Sequence, residues 1–233
     1  MKSFSRRRAI WPVAALFACA SAQAARPMVV DDAAITSPGN CQVESWTQRT
    51  SGQTEYWAMP ACNVAGTWEL AAGLGRIDPD GAGSAYGSGV VQAKTVFRPL
   101  EKNGWGIGLT IANQFRQGSG INGDLSVLVP VSLSLMDDQV LVHANAGWLR
   151  AHASGQQDGF WATGTEWAVR SRLTLTLEAY GTGRGHGFTQ AGTRFTIIPD
   201  RLAFDAAVGS RIGRLGAERY ATIGLTFAGP VPR

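Results

Sequence analysis

Gly104-Trp105-Gly106-Ile107-Gly108-Leu109-Thr110-Ile111 alternates a large apolar side chain with glycine or threonine, without a break. Successive residues of a strand point to opposite faces, so this stretch is a strand with one apolar and one small or polar face. The same alternation recurs from Cys41 to Ala228. Twelve strand candidates follow: Cys41–Thr50, Gln53–Val64, Thr67–Ile77, Tyr86–Leu100, Gly104–Arg116, Gly123–Met136, Gln139–His152, Gly159–Arg170, Arg172–Tyr180, Phe188–Pro199, Arg201–Ile212 and Tyr220–Ala228. Most have the ~9–14 residues that a tilted strand needs to cross a bilayer. The expected fold is all-β: an antiparallel transmembrane β-barrel of about twelve strands.

The connections strengthen that reading. Ala65-Gly66, Glu101-Lys102-Asn103, Asp137-Asp138, the Arg170-Ser171-Arg172 corner and Pro199-Asp200 are tight. Between them lie the longer segments 78–85, 117–122, 153–158, 181–187 and 213–219, rich in Gly, Ser, Gln or charge. Outer-membrane barrels have short periplasmic turns and longer external loops, and an even strand count leaves both chain ends in the periplasm. Ser51-Gly52 is the one short loop on the long-loop side. Outward apolar sets such as Val127, Val129, Val131, Leu133 and Leu135 oppose inward Asp124, Ser126, Ser132 and Ser134. Trp68, Trp105, Trp148, Trp161 and Trp167 fall near strand ends, where an interfacial aromatic girdle would lie. A soluble periplasmic β-protein that binds a hydrophobic ligand is the alternative, with the apolar faces turned inward as a core.

The first residues read as an export signal. Met1-Lys2 and Arg6-Arg7-Arg8 are basic, Ala9–Ala20 is apolar and Ala22-Gln23-Ala24 fits a cleavage site, so residues 1–24 are expected to be a signal peptide. Leu16-Phe17-Ala18-Cys19 is a poorer match to a lipoprotein box. Residues 25–40 are then a periplasmic leader or a lumen plug, with Asp31 and Asp32 meeting inward arginines in the second case, and residues 41–233 form the barrel. Of the 21 Lys and Arg, four lie in the signal, leaving 17 bases against 17 acids. A neutral mature chain gives no reason to expect a nucleic-acid partner. The expected location is the outer membrane of a Gram-negative bacterium.

Cys41 and Cys62 remain after the signal. A tight turn centred on Ser51-Gly52 places them opposite each other, and Trp46 opposite Trp57. In an oxidising periplasm the pair reads as a disulfide. A metal pair is the other reading, but no further ligand has suitable spacing, so no metal and no cofactor is expected.

Alternation turns Glu69, Lys94, Arg98, Arg116, His143, Asn145, Glu166, Glu178, Arg194, Asp205 and Arg211 into the lumen. They either brace a narrow barrel through ion pairs or line a permeation path. His143-Ala144-Asn145 places a histidine and an amide on one strand face, yet no local pattern ties a serine to them, so no catalytic residue and no enzyme activity is expected. The glycines of residues 181–187 lack the βαβ context of a phosphate loop. Asp78-Pro79-Asp80-Gly81 lacks the closing Glu of a calcium loop.

Several motifs are similar to one known family. They are Arg26-Pro27-Met28-Val29-Val30-Asp31-Asp32-Ala33, Pro38-Gly39-Asn40-Cys41-Gln42-Val43-Glu44, Gly123-Asp124-Leu125, His143-Ala144-Asn145-Ala146-Gly147-Trp148, Glu178-Ala179-Tyr180-Gly181 and Gln190-Ala191-Gly192-Thr193-Arg194-Phe195. The chain resembles outer-membrane proteins grouped under the meta-pathway of phenol degradation. That resemblance implies a barrel inserted by the barrel-assembly machinery among outer-membrane lipids. It also implies a channel or transporter for small, aromatic or hydrophobic molecules, without catalytic residues. A structural or adhesive barrel is a further alternative.

Overall fold

The computed structural model describes residues 28–64, 66–116, 118, 120–185, 187–213 and 218–230; the signal segment and Ala25–Pro27 lie outside them. Twelve strands run in chain order: β1(Asn40–Arg49), β2(Gln53–Asn63), β3(Trp68–Pro79), β4(Tyr86–Arg98), β5(Trp105–Arg116), β6(Asp124–Leu135), β7(Val140–Arg150), β8(Gln157–Arg170), β9(Leu173–Thr182), β10(Phe188–Ile198), β11(Leu202–Arg211) and β12(Tyr220–Pro230). Each pairs antiparallel with its sequence neighbour, and β1 pairs with β12, so the sheet closes into a barrel. Closure leaves no strand edge, the condition for β-structure inside a bilayer. No strand end departs from its sequence expectation by more than two residues. Gly229 and Pro230 extend β12 past its expected end at Ala228, opposite Cys41 and Asn40.

The outer face decides the location. Leu74, Val208 and Leu177 are 75%, 63% and 60% exposed. Facing water, that band would forfeit about 25 cal/mol per Å² of apolar surface, whereas in lipid it is solvated. Buried positions are instead largely polar: Glu69, Lys94, Ser132, His143, Asn145, Glu178 and Asp205. The barrel is thus inside-out relative to a soluble β-protein and belongs in an outer membrane.

The short-turn end is tightly built. Met136, Asp137 and Asp138 all have positive φ (52°, 58° and 69°), as a tight hairpin turn demands. Asn103 of the next turn clasps Asp137: Asn103 Nδ2 donates to Asp137 Oδ1 at 2.7 Å, and Asp137 N donates to Asn103 Oδ1 at 2.8 Å. Three register shifts interrupt the ladders, at Val96/Arg98, Ala168/Arg170 and Thr196/Ile198, all at this end. Such bulges change which way the following side chain points.

Cys41 and Cys62 form a disulfide, bridging β1 and β2 where the chain enters the barrel. In the same register Trp46 stacks on Trp57, with ring centroids 5.8 Å apart and planes 12° from parallel.

Candidate permeation path and its internal segment

Residues 28–39 run inside the barrel wall. The segment begins beside β1 at the short-turn end, where Gly39 N donates to Asn63 O and Asn63 Nδ2 to Thr36 O. Thr36 N donates to Glu69 Oε2 on β3 at 2.7 Å, and the Thr36 hydroxyl bonds the same oxygen. Higher up, Ala33 N donates to Ser132 Oγ on β6. Asp31 N donates to Asn145 Oδ1, and Asn145 Nδ2 returns a bond to Asp31 O. At the inner end, Val29 N and Val30 N both donate to the Glu178 carboxylate on β9. An irregular backbone in an enclosed lumen must have its N–H groups satisfied by side chains, and here the wall supplies them.

Lys94 fixes the middle of the segment. Its Nζ lies 2.7 Å from both Asp31 Oδ1 and Asp32 Oδ1, and its side chain is 3% exposed. Thr110 Oγ1 donates to the second oxygen of Asp31. The wall cation that meets both carboxylates is therefore a lysine, a correction to the arginines expected. Lys94 sits mid-barrel on β4, within reach of the segment, whereas Arg194 pairs with Asp205 at 2.8 Å and Arg211 with Glu218 at 3.0 Å. Apolar contacts complete the seating. Met28 and Val30 pack on Ala162, flanked by Phe160 and Tyr180. Gly164 makes that approach possible, since a Cβ there would fall 2.6 Å from Val30 Cγ1.

Arg98 does not face the lumen. The bulge after Val96 sets it opposite Ile107, in the outward register of Trp105, and its guanidinium lies 4.3 Å from the Trp105 ring centroid. Arg116 keeps the inward register opposite Ser88, but at the outer rim, exposed and stacked 3.5 Å over the Tyr86 ring.

Ser132, already turned inward by alternation, is the serine that the sequence left untied to His143. Its Oγ lies 2.7 Å from His143 Nδ1, and His143 Nε2 lies 3.2 Å from Glu166 Oε1, within ion-pair reach but off the hydrogen-bonding axis. The tight turn at Asp137-Asp138 already places Ser132 opposite His143. A serine, an imidazole and a carboxylate in line have the composition of a hydrolytic triad. Here the serine is fully buried on the lumen side and its Oγ accepts the Ala33 N–H, so the relay braces the segment.

The segment separates two spaces. A cavity of about 590 Å³ lies between it and the β1–β8 wall, reaching the long-loop end at Asp124 and Arg150. A second, of about 360 Å³, lies at the short-turn end among Ile35, Thr36, Pro199–Arg201 and Ala228–Pro230. Trp46 and Trp57 line the larger one. Gly75 leaves room for the Trp57 ring, since a Cβ there would lie 2.6 Å from it.

A closed twelve-stranded barrel with a lipid-facing apolar band and a polar lumen defines an outer-membrane β-barrel of porin-like architecture. The chain belongs to the family described as Uncharacterised conserved protein UCP029691, whose model matches residues 12–228. That match and the barrel fold support the expected outer-membrane β-barrel, and not the meta-pathway grouping. Its loose motifs, such as Gly-Asp opening a strand or Gly-Trp near a strand end, follow from turn chemistry and interfacial girdles common to many barrels. No curated protein matches the chain. Among solved structures it is similar to the KdgM porin, at 8% identity with a TM-score of 0.64, covering 80% of this chain and 98% of that one. The NanC porin matches at 12% identity, 0.60, 80% and 98%. Outer membrane phospholipase A from Escherichia coli matches at 11%, 0.51, 88% and 94%. Identities this low speak for the fold alone.

Proposed function

We propose that the protein is an outer-membrane channel for small solutes, closed at rest by residues 28–39 acting as a plug, with no enzymatic role. The observation that carries this reading is the path of that segment. It reaches β3, β4, β5, β6, β7 and β9 from inside through side-chain bonds, and leaves a separate space at each end of the lumen. A barrel needing only internal braces could fill its lumen with wall side chains, as the Arg194–Asp205 pair does. Committing a dozen residues of leader to the lumen favours a removable occupant over a fixed filling. The vestibule wall carries Trp46, Trp57, Met59 and Val90, which suits solutes with an aromatic or hydrophobic face. The deciding experiment is planar-bilayer conductance of the exported chain beside a variant lacking residues 28–36, both checked for heat-modifiable mobility. Opening on deletion supports the plug. Equal conductance in the two discards it, and silence in both discards the channel.

A further inference from the structure

The larger cavity is lined by seven carboxylates and by three basic side chains, Lys94, His143 and Arg150, with His143 beside Glu166. Lys94 is already neutralised by Asp31 and Asp32, and Arg150 lies at the exposed strand end. Walls of low dielectric concentrate the field of such an excess, and a lumen lined by one sign of charge favours the opposite ion.

The arrangement on β1 and β2 is more specific than the charge balance. Trp46 faces Trp57 across the ladder, Gln48 faces Glu55 one inward pair toward the long-loop end, and Glu44 faces Met59 one inward pair toward the plug. The stacked indoles therefore have a carboxylate on either side along the barrel axis. Glu55 is held in place by bonds from Gln53 Nε2 (2.6 Å) and Trp57 Nε1 (3.0 Å). Trp57 is buried against Gly75, whereas Trp46 is half-buried and lines the cavity. An indole face beside a fixed carboxylate, Glu55, with a second carboxylate at Glu44, is the chemistry that holds an organic ammonium, through cation–π attraction and charge, with apolar contact for the remainder of the ligand.

We propose that this vestibule binds small organic cations bearing an apolar or aromatic group, at the Trp46–Trp57 wall between Glu44 and Glu55. The proposal rests on the channel reading for its purpose, and names the class of solute the channel admits. It separates this chain from the KdgM porin solved with oligogalacturonate, a polyanion, which the carboxylate excess of this cavity would repel.

The test is calorimetric binding to the full detergent-solubilised barrel, with three probes of similar size and different charge: benzylammonium, benzyl alcohol and benzoate. The ammonium is expected to bind at least about tenfold more tightly than the alcohol, with benzoate weakest. Glu55→Gln and Trp46→Leu are each expected to weaken the ammonium several-fold while retaining heat-modifiable mobility, and raised salt to weaken it further. Benzoate binding as well as the ammonium would overturn the proposal, as would absence of binding or indifference to both substitutions. Binding in a barrel that conducts in no form would leave this site standing and remove the channel reading.

Discussion

Lys94 Nζ lies 2.7 Å from Asp32 Oδ1, and the two side chains are 3% and 8% exposed. A buried ion pair is a costly way to gain stability, because desolvation offsets most of the attraction, but removing one partner leaves a charge stranded. Lys94→Met strands Asp31 and Asp32 together. The expected penalty is about 3–5 kcal/mol, and it falls on the internal segment, since the β4 ladder is untouched. Single-channel recordings should show a large rise in open probability with heat-modifiable mobility preserved. A triple variant with Lys94→Met, Asp31→Asn and Asp32→Asn should recover part of the closure.

Glu178 is the second anchor. It accepts Val29 N and Val30 N as well as Gln190 Nε2. Hydrogen bonds to a charged group contribute about 1.5–3 kcal/mol each. Glu178→Gln keeps the shape and loses the charge, so the inner end should loosen while the Lys94 clasp holds. Hydrogen exchange should then quicken at Val29 and Val30, with Ala33 and Thr36 slower to respond. Uniform quickening along the segment would show that it moves as one body.

The Cys41–Cys62 bridge encloses a separation of 21 residues, a loop for which about 2–4 kcal/mol is typical. The hairpin is already zipped by its ladder, so the lower end is expected. Paired Ser substitutions should lower the temperature of heat modification by a few degrees and leave conductance closed. A large increase in leak would instead assign the bridge to holding the root of the plug.

Outside the membrane-spanning strands, the Asn103 bond and the Lys102 ammonium hold the Asp137 carboxyl below its ordinary value of 3.8. A depressed carboxyl stabilises the fold above its unfolded pKa, and loses that contribution as pH falls through the lower, folded value. The turn clasp should therefore persist down to mild acid and release only below the usual aspartate range. Asp137 is fully exposed, so the effect should be small. Asp137→Asn should flatten the acid limb of the heat-modification profile without moving its neutral plateau.

The alternation that made the strands legible also made their faces legible, because a strand between two tight turns has little freedom of register. Trp46 opposite Trp57 and Cys41 opposite Cys62 follow from one turn, and Ser132 opposite His143 from another. Arg98 escaped because a single extra residue after Val96 inverts the parity, and nothing in Val96-Phe97-Arg98 announces it. The Lys94 clasp was beyond reach for a different reason. Its partners lie 63 and 62 residues away on a segment with no period, so no repeat fixes which wall group they meet.

The first and last strands form the seam of the barrel, and the internal segment hangs directly from β1. If strands are laid down in chain order, that seam is the final ladder to zip. The leader must then be gathered between the sheet's curling edges before they meet. On the proposed plug reading, assembly and closure would thus be a single event: each barrel would emerge already corked, and opening would be a separate, later step.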